Sequence, residues 1–146
     1  MVHILVLSHG TFAAGLINAV EMITGTNENI DSCSLDPEKG VANYKKSLTE
    51  IINKFNSTEN KLLVLCDLYC GCPFNTAVEI ANSILPADKF KIVTGVNLPM
   101  MLETCMIKKQ HPDDLELLYK TALSAGHYGI HESITEVHPC DSDEVL

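Results

Sequence analysis

The stretch Ile4-Leu5-Val6-Leu7-Ser8-His9-Gly10-Thr11-Phe12 decides the fold. An apolar run stops at Ser8-His9-Gly10, and a helical pattern follows, with Leu16, Ile17, Val20 and Ile23 at helical spacing. That order is a buried strand feeding a helix through a tight turn. In an open parallel sheet such turns lie at the carboxyl ends of strands, where ligands bind. A histidine at the turn reaches solvent while its strand stays buried, which makes His9 the candidate working residue.

The same alternation continues along the chain. Gly25 stands where a helix C-cap would sit. Ile30 to Leu35 reads as a second strand ended by Asp36-Pro37. A second helix carries Tyr44, Leu48, Ile51, Ile52 and Phe55 on one face. Leu62 to Cys66 is the clearest buried strand, closed by Asp67. The loop Leu68-Tyr69-Cys70-Gly71-Cys72-Pro73 leads to a third helix from about Phe74 to Leu85. Phe90 to Thr94 is a fourth strand. Gly95-Val96-Asn97-Leu98-Pro99 turns into a fourth helix broken at His111-Pro112, and a fifth runs from about Asp113 to Gly126. Ile130 to Thr135 reads as a last short strand, and residues 136–146 as an acidic tail. Strands alternating with helices predict a three-layer α/β domain over residues 1–135 with a mostly parallel sheet. In the order 2-1-3-4, His9 at the end of strand 1 and Asp67 at the end of strand 3 share one crevice.

Composition narrows the function. The chain has 146 residues, 46% hydrophobic and 20% charged, which suits one globular domain. No apolar stretch reaches the ~18 residues a membrane span needs, and the N-terminus shows no signal-peptide pattern. The net charge is -9, and all ten basic residues are lysines. This disfavours nucleic acid, whose binding rests on neutralising phosphates. It also removes the arginine fork that usually grips phosphate. The six cysteines, Cys33, Cys66, Cys70, Cys72, Cys105 and Cys140, are expected to be reduced and cytoplasmic.

Chemistry follows from the His9–Asp67 pair. An imidazole attacks a phosphoryl group with one nitrogen when the other carries the proton, and a carboxylate accepting that N–H fixes the tautomer. Gly10 and Gly71 let backbone N–H groups approach an anion, and helix N-termini after both loops add positive potential. Other chemistries fit less well. Cys66, Cys70 and Cys72 offer three clustered thiols where a structural metal site wants four ligands. Cys70-Gly71-Cys72 is Cys-x-Cys, not the Cys-x-x-Cys of redox enzymes. A phosphatase loop needs an arginine, and a response regulator needs an acidic pair where Ser8-His9 stands. His3 reads as structural; His111, His127, His131 and His138 as loop or terminal residues; Met100, Met101 and Met106 as packing. No metal or cofactor is expected.

Three motifs in order carry a resemblance: Ser8-His9-Gly10; Cys66-Asp67-Leu68-Tyr69-Cys70-Gly71-Cys72-Pro73-Phe74-Asn75; and Gly95-Val96-Asn97-Leu98-Pro99-Met100-Met101-Leu102-Glu103. From about Val2 to Ile130 the chain resembles the enzyme IIA component of the mannose family of the bacterial sugar phosphotransferase system. The resemblance implies a cytoplasmic phosphohistidine carrier. It would take phosphate from the histidine-containing phosphocarrier protein (HPr) onto His9 Nε2 and pass it to a separate IIB component, serving membrane IIC and IID components indirectly. Asp67 would orient His9, and Gly10, Gly71 and Cys72 would form the phosphate loop. A homodimer is implied, with the last strand pairing antiparallel in the partner's sheet. The alternative is a regulatory phospho-sensing module, or a dihydroxyacetone-kinase phosphodonor subunit, of the same fold. Where the family usually shows Gly-Gly-Ser-Pro, Cys70 replaces the first glycine and Cys72 the serine. A β-carbon at position 70 restricts the loop if φ there is positive, and a thiol at 72 donates more weakly than a hydroxyl.

Overall fold

The computed structural model describes residues 1–132 apart from Asn27 and Ser57. Four strands, β1 (Val2–His9), β2 (Ile30–Leu35), β3 (Lys61–Cys66) and β4 (Phe90–Thr94), form one all-parallel sheet in the order β2-β1-β3-β4. Five helices connect or follow them: α1 (Phe12–Thr24), α2 (Gly40–Asn56), α3 (Cys72–Ile84), α4 (Leu98–Gln110) and α5 (Leu115–Tyr128).

The central strands are apolar on both faces because both faces are covered. Ile4 to Leu7 and Leu62 to Cys66 are essentially inaccessible to solvent. Alternation along β1 divides them between two cores. Val2, Ile4 and Val6 pack with Ala13, Leu16 and Val20 of α1 and with the inner faces of α4 and α5. Leu5 and Leu7 pack with Tyr44, Leu48, Ile52 and Phe55 of α2 and with Ala77, Ile80 and Ala81 of α3. Each large apolar side chain removed from water here contributes about 1.5–3 kcal/mol, enough to hold a strained turn in place.

Several boundaries differ from the sequence reading. β1 continues through Ser8 to His9, because its backbone keeps pairing with β2 as far as Leu35. α3 begins at Cys72, two residues before the expected Phe74, since Pro73 is well suited to the first turn of a helix. α5 begins at Leu115 and ends at Tyr128, so His127 lies in its last turn and not in a loop. Ile23 and Met106 lie on exposed helix faces, unlike the buried Met100 and Met101. Gly25 is the left-handed C-cap of α1 as expected. Ile130, His131 and Glu132 form no strand. The rest of the expected last strand and the acidic tail, residues 133–146, lie outside the described residues.

Candidate functional site

The sheet order reverses direction between β1 and β3, so the crevice at their carboxyl ends is where a ligand site belongs. Consecutive residues at the end of β1 face opposite ways. Ser8 points to the α1 side. It is fully buried, its Oγ accepts the Ala13 N–H at 2.9 Å, and it lies 3.2 Å from Ser34 Oγ on β2. The hydroxyl thereby caps α1 from the preceding strand, a role usually filled by the N-cap residue itself. His9 turns the other way, towards the loop after β3.

Asp67 meets it there. One carboxylate oxygen, Oδ2, accepts the His9 backbone N–H at 2.8 Å and lies 2.8 Å from His9 Nδ1. The Asp67 backbone N–H in turn donates to Leu7 O at 3.0 Å. The pair is locked to β1 by backbone as well as by side chain. The Asp67 side chain is 18% exposed and the His9 side chain 44%, so the carboxylate is the inner partner and the ring the outer one. Burial by itself would raise the Asp67 carboxyl. Hydrogen bonds from the His9 N–H and ring, and from the Leu68 backbone, outweigh that and hold it below its ordinary value of 3.8. The ionised carboxylate is placed to accept a proton from Nδ1, and in the neutral ring that tautomer leaves the lone pair on Nε2.

Cys66 adds a contact that the sequence reading missed. Its Sγ lies 3.6 Å from Asp67 Oδ1. Burial pushes this thiol up to about 11, so it remains an S–H that donates weakly to the second carboxylate oxygen. Its place at the end of a buried strand beside an aspartate was the available signal.

Two loops flank the His9–Asp67 pair. Gly10 has φ 56° and Gly71 is the N-cap of α3. A β-carbon on Gly71 would sit 3.1 Å from His9 Cε1; the loop backbone passes directly behind the imidazole. Neither Thr11 before α1 nor Gly71 before α3 caps its helix with a side chain. Apart from the Ala13 N–H taken by Ser8, the first turns keep donors for an incoming anion. The N-terminus of α4 differs. Asn97 Oδ1 accepts the Met100 N–H at 2.9 Å while its Nδ2 donates to Gly126 O at 3.0 Å. The third sequence motif therefore fastens α4 to α5, where a side chain on Gly126 would collide with Met100.

Cys70 occupies the left-handed region with φ 58°, the case in which its β-carbon strains the loop. The Asn75 amide holds its carbonyl at 2.9 Å. Cys72 Sγ lies 3.9 Å from Thr76 Oγ1, inside α3. Among the described residues, no three His, Cys, Asp or Glu side chains come together as a metal site would require.

Comparison with known proteins places the chain in a family. The family described as PTS system fructose IIA component matches residues 3–121. The chain belongs to this family. The mannose-specific EIIAB component of Escherichia coli strain K12 is 28% identical over 127 residues, 87% of this chain. The chain matches 38% of that longer relative's length. The sorbose-specific EIIA component of Klebsiella pneumoniae is 27% identical, over 79% of this chain and 82% of its own. Phosphotransferase system component EIIA from Streptococcus agalactiae superposes with a TM-score of 0.78 at 25% identity, covering 90% of this chain and 97% of its own. This IIA protein thus shares the fold of a IIA component over nearly all of its described length. Among the described residues, no helix is long and apolar enough to cross a membrane.

Proposed function

We propose that the protein is a cytoplasmic phosphohistidine carrier. His9 Nε2 accepts a phosphoryl group from HPr and gives it to a IIB component, which phosphorylates the incoming sugar. The observation that carries this reading is the double hold of Asp67 Oδ2 on the His9 backbone and on Nδ1. Nε2 attacks phosphorus as the bond to the donor's phosphohistidine nitrogen breaks. The positive charge that develops on the ring is balanced by Asp67. Transfer of this kind needs mainly positioning and electrostatics. Gly10, Gly71 and Cys72 border the space for the phosphoryl oxygens, with the open first turns of α1 and α3 behind them.

The loops that meet at His9 contain no lysine. Lys39, in the loop after β2, lines the cavity that Gly10 and Thr11 border; further cationic help with the transfer would come from the helix termini and the partner. Phe12 at the start of α1 and Leu68 and Tyr69 in the loop after β3 are exposed and suit contact with a protein donor and acceptor.

The test uses phosphorylated HPr as donor. The product is expected to be acid-labile and base-stable, as a phosphoramidate is, and to map to His9. His9→Ala should abolish it with the fold intact. Phosphate mapped to Asp67, or undiminished acceptance by His9→Ala, overturns the reading. The proposed homodimer, paired through the last strand, predicts a mass in light scattering of twice 16.0 kDa; a monomer at micromolar concentration rejects it.

A further inference from the structure

Two thiols flank the glycine that backs the His9 ring. Cys70 is exposed, and Cys72 is partly exposed at the start of α3. They stand apart from Cys33, Cys66 and Cys105, which are buried. Burial also pushes Cys33 and Cys66 up to about 11, so those two remain unreactive thiols.

We propose that Cys70 and Cys72 form a modification site for low-molecular-weight disulfides, and that closing a Cys70–Cys72 bond shuts off phosphorylation of His9. Cys70, the more accessible thiol, loses its proton and attacks one sulfur of a small disulfide such as oxidised glutathione. A mixed disulfide forms and one molecule of free thiol departs. Cys72 then loses its proton and attacks the Cys70 sulfur, forming the internal disulfide and releasing the second thiol. In balance, the protein dithiol and one small disulfide give one protein disulfide and two small thiols. The protein loses two hydrogens and two electrons, which the small disulfide takes up.

The geometry couples this bond to the site. Only Gly71 separates the two cysteines, and it is extended, with φ -69° and ψ 165°. An extended link holds the Cα atoms on either side about 6.4–6.8 Å apart, whereas a disulfide usually draws its two Cα atoms to about 5.5–6 Å and its sulfurs to about 2.05 Å. Closure therefore requires Gly71 to rotate, which a glycine does readily. Gly71 is also the residue whose β-position lies 3.1 Å from His9 Cε1. Rotation there moves the backbone behind the imidazole and the start of α3 together. The strained left-handed Cys70 favours a change in this loop. So small a ring is itself strained, which keeps the bond easy to reduce and the switch reversible.

The thiol chemistry stands independently of the proposed function; only its consequence for phosphotransfer rests on that reading. The full-length protein is incubated in a series of reduced-to-oxidised glutathione ratios, quenched by alkylation and mapped by mass spectrometry. In parallel, the His9 Cε1–H resonance is followed by NMR, and phosphorylation by phospho-HPr is timed. The expected result is a Cys70–Cys72 disulfide two hydrogens lighter, a shifted His9 resonance, and phosphorylation slowed about 10²-fold, the cost of a misplaced reacting group. A dithiol reductant should restore all three. Cys70→Ser should keep the reduced protein's rate and lose the response to oxidant. The proposal is overturned if no Cys70–Cys72 disulfide forms at any ratio. It is equally overturned if the disulfide leaves the His9 resonance unmoved, or if Cys70→Ser remains sensitive. If the reduced wild type fails to accept phosphate while the disulfide forms and shifts His9, the carrier function and the effect on phosphotransfer are wrong, and the thiol modification site coupled to His9 stands.

Discussion

The loop after β1 and the loop after β3 meet at His9, and both need a left-handed residue. The first supplies glycine: Gly10 has φ 56°, and a β-carbon there would meet nothing within 4 Å. The second supplies a side chain: Cys70 has φ 58°. Gly71 beside it has an ordinary negative φ, yet it lies against His9 Cε1. Glycine is thus required for conformation in one loop and for space in the other. The first loop is tied down by the buried Ser8 hydroxyl and by the Gly10 N–H on Leu35 O at 2.9 Å. The second is held by the Asn75 amide and carries exposed side chains. The first acts as fixed support for the His9 ring, and the second is where its surroundings can be adjusted.

The hardest break of this arrangement removes the link between the loops. Asp67→Asn keeps the volume but presents an amide to Nδ1 and no longer balances imidazolium charge. Phosphorylation by phospho-HPr should fall by up to ~10⁴-fold, the size of the tautomer effect in a serine protease triad. The folded-state Asp67 carboxyl lies below its ordinary 3.8. It therefore contributes stability at and above that pH, and loses it as pH falls through the depressed value. Wild type should be more stable than Asp67→Asn near neutrality, and the gap should narrow below about pH 4. Denaturation curves at several pH values check this; a gap that widens with acid contradicts the hydrogen-bonded carboxylate.

Next come the glycines, where the loops should respond in opposite ways. Gly71→Ala puts a methyl group 3.1 Å from the His9 ring and 3.3 Å from Leu68 O at an unstrained φ. Phosphotransfer should slow by about 10²-fold, as small displacements of reacting groups do, with little loss of stability. Gly10→Ala adds a β-carbon in open space at a strained φ. It should cost about 1–2 kcal/mol of stability and affect the rate less than Gly71→Ala. Parallel rates and unfolding midpoints decide between this split and two equivalent glycines.

Much of this was legible in the sequence because it depends on chain order and period. Buried runs at 4–7 and 62–66, short and followed by turn residues, read as central strands of a covered sheet, and their adjacency brings His9 to Asp67. Helix faces were legible where the apolar period was clean, as at Tyr44, Leu48, Ile52 and Phe55. Met106 and Ile23 misled because an apolar residue on a helix need not face inward. Ser8 and Cys66 were missed as site residues for one reason. Their roles depend on which way a side chain at a strand end faces: it brings the Ser8 hydroxyl to the Ala13 N–H and the Cys66 thiol to Asp67 Oδ1, and an apolar run does not fix that direction at its last residue. Cys70 was read conditionally on its φ, a backbone angle that the residue type alone does not dictate.

The smallest effect tests that angle directly. Cys70→Gly removes the β-carbon from a left-handed residue, relieving about 1–2 kcal/mol of steric cost. The gain is reduced by the extra freedom glycine has in the unfolded chain, worth about 0.4–1 kcal/mol. A net stabilisation of about 0.5–1 kcal/mol is expected. Cys70→Ala is the necessary companion, because it removes the thiol but keeps the β-carbon; being an exposed position, it should leave stability within about 0.5 kcal/mol of wild type. The difference between the two variants isolates backbone strain from any property of the sulfur. It should oppose the loss at Gly10→Ala, since the same conformation is relieved in one loop and strained in the other. If Cys70→Gly were no more stable than Cys70→Ala in denaturant titrations, the second loop would bear no strain, and the contrast drawn between the loops would reduce to crowding at Gly71 alone.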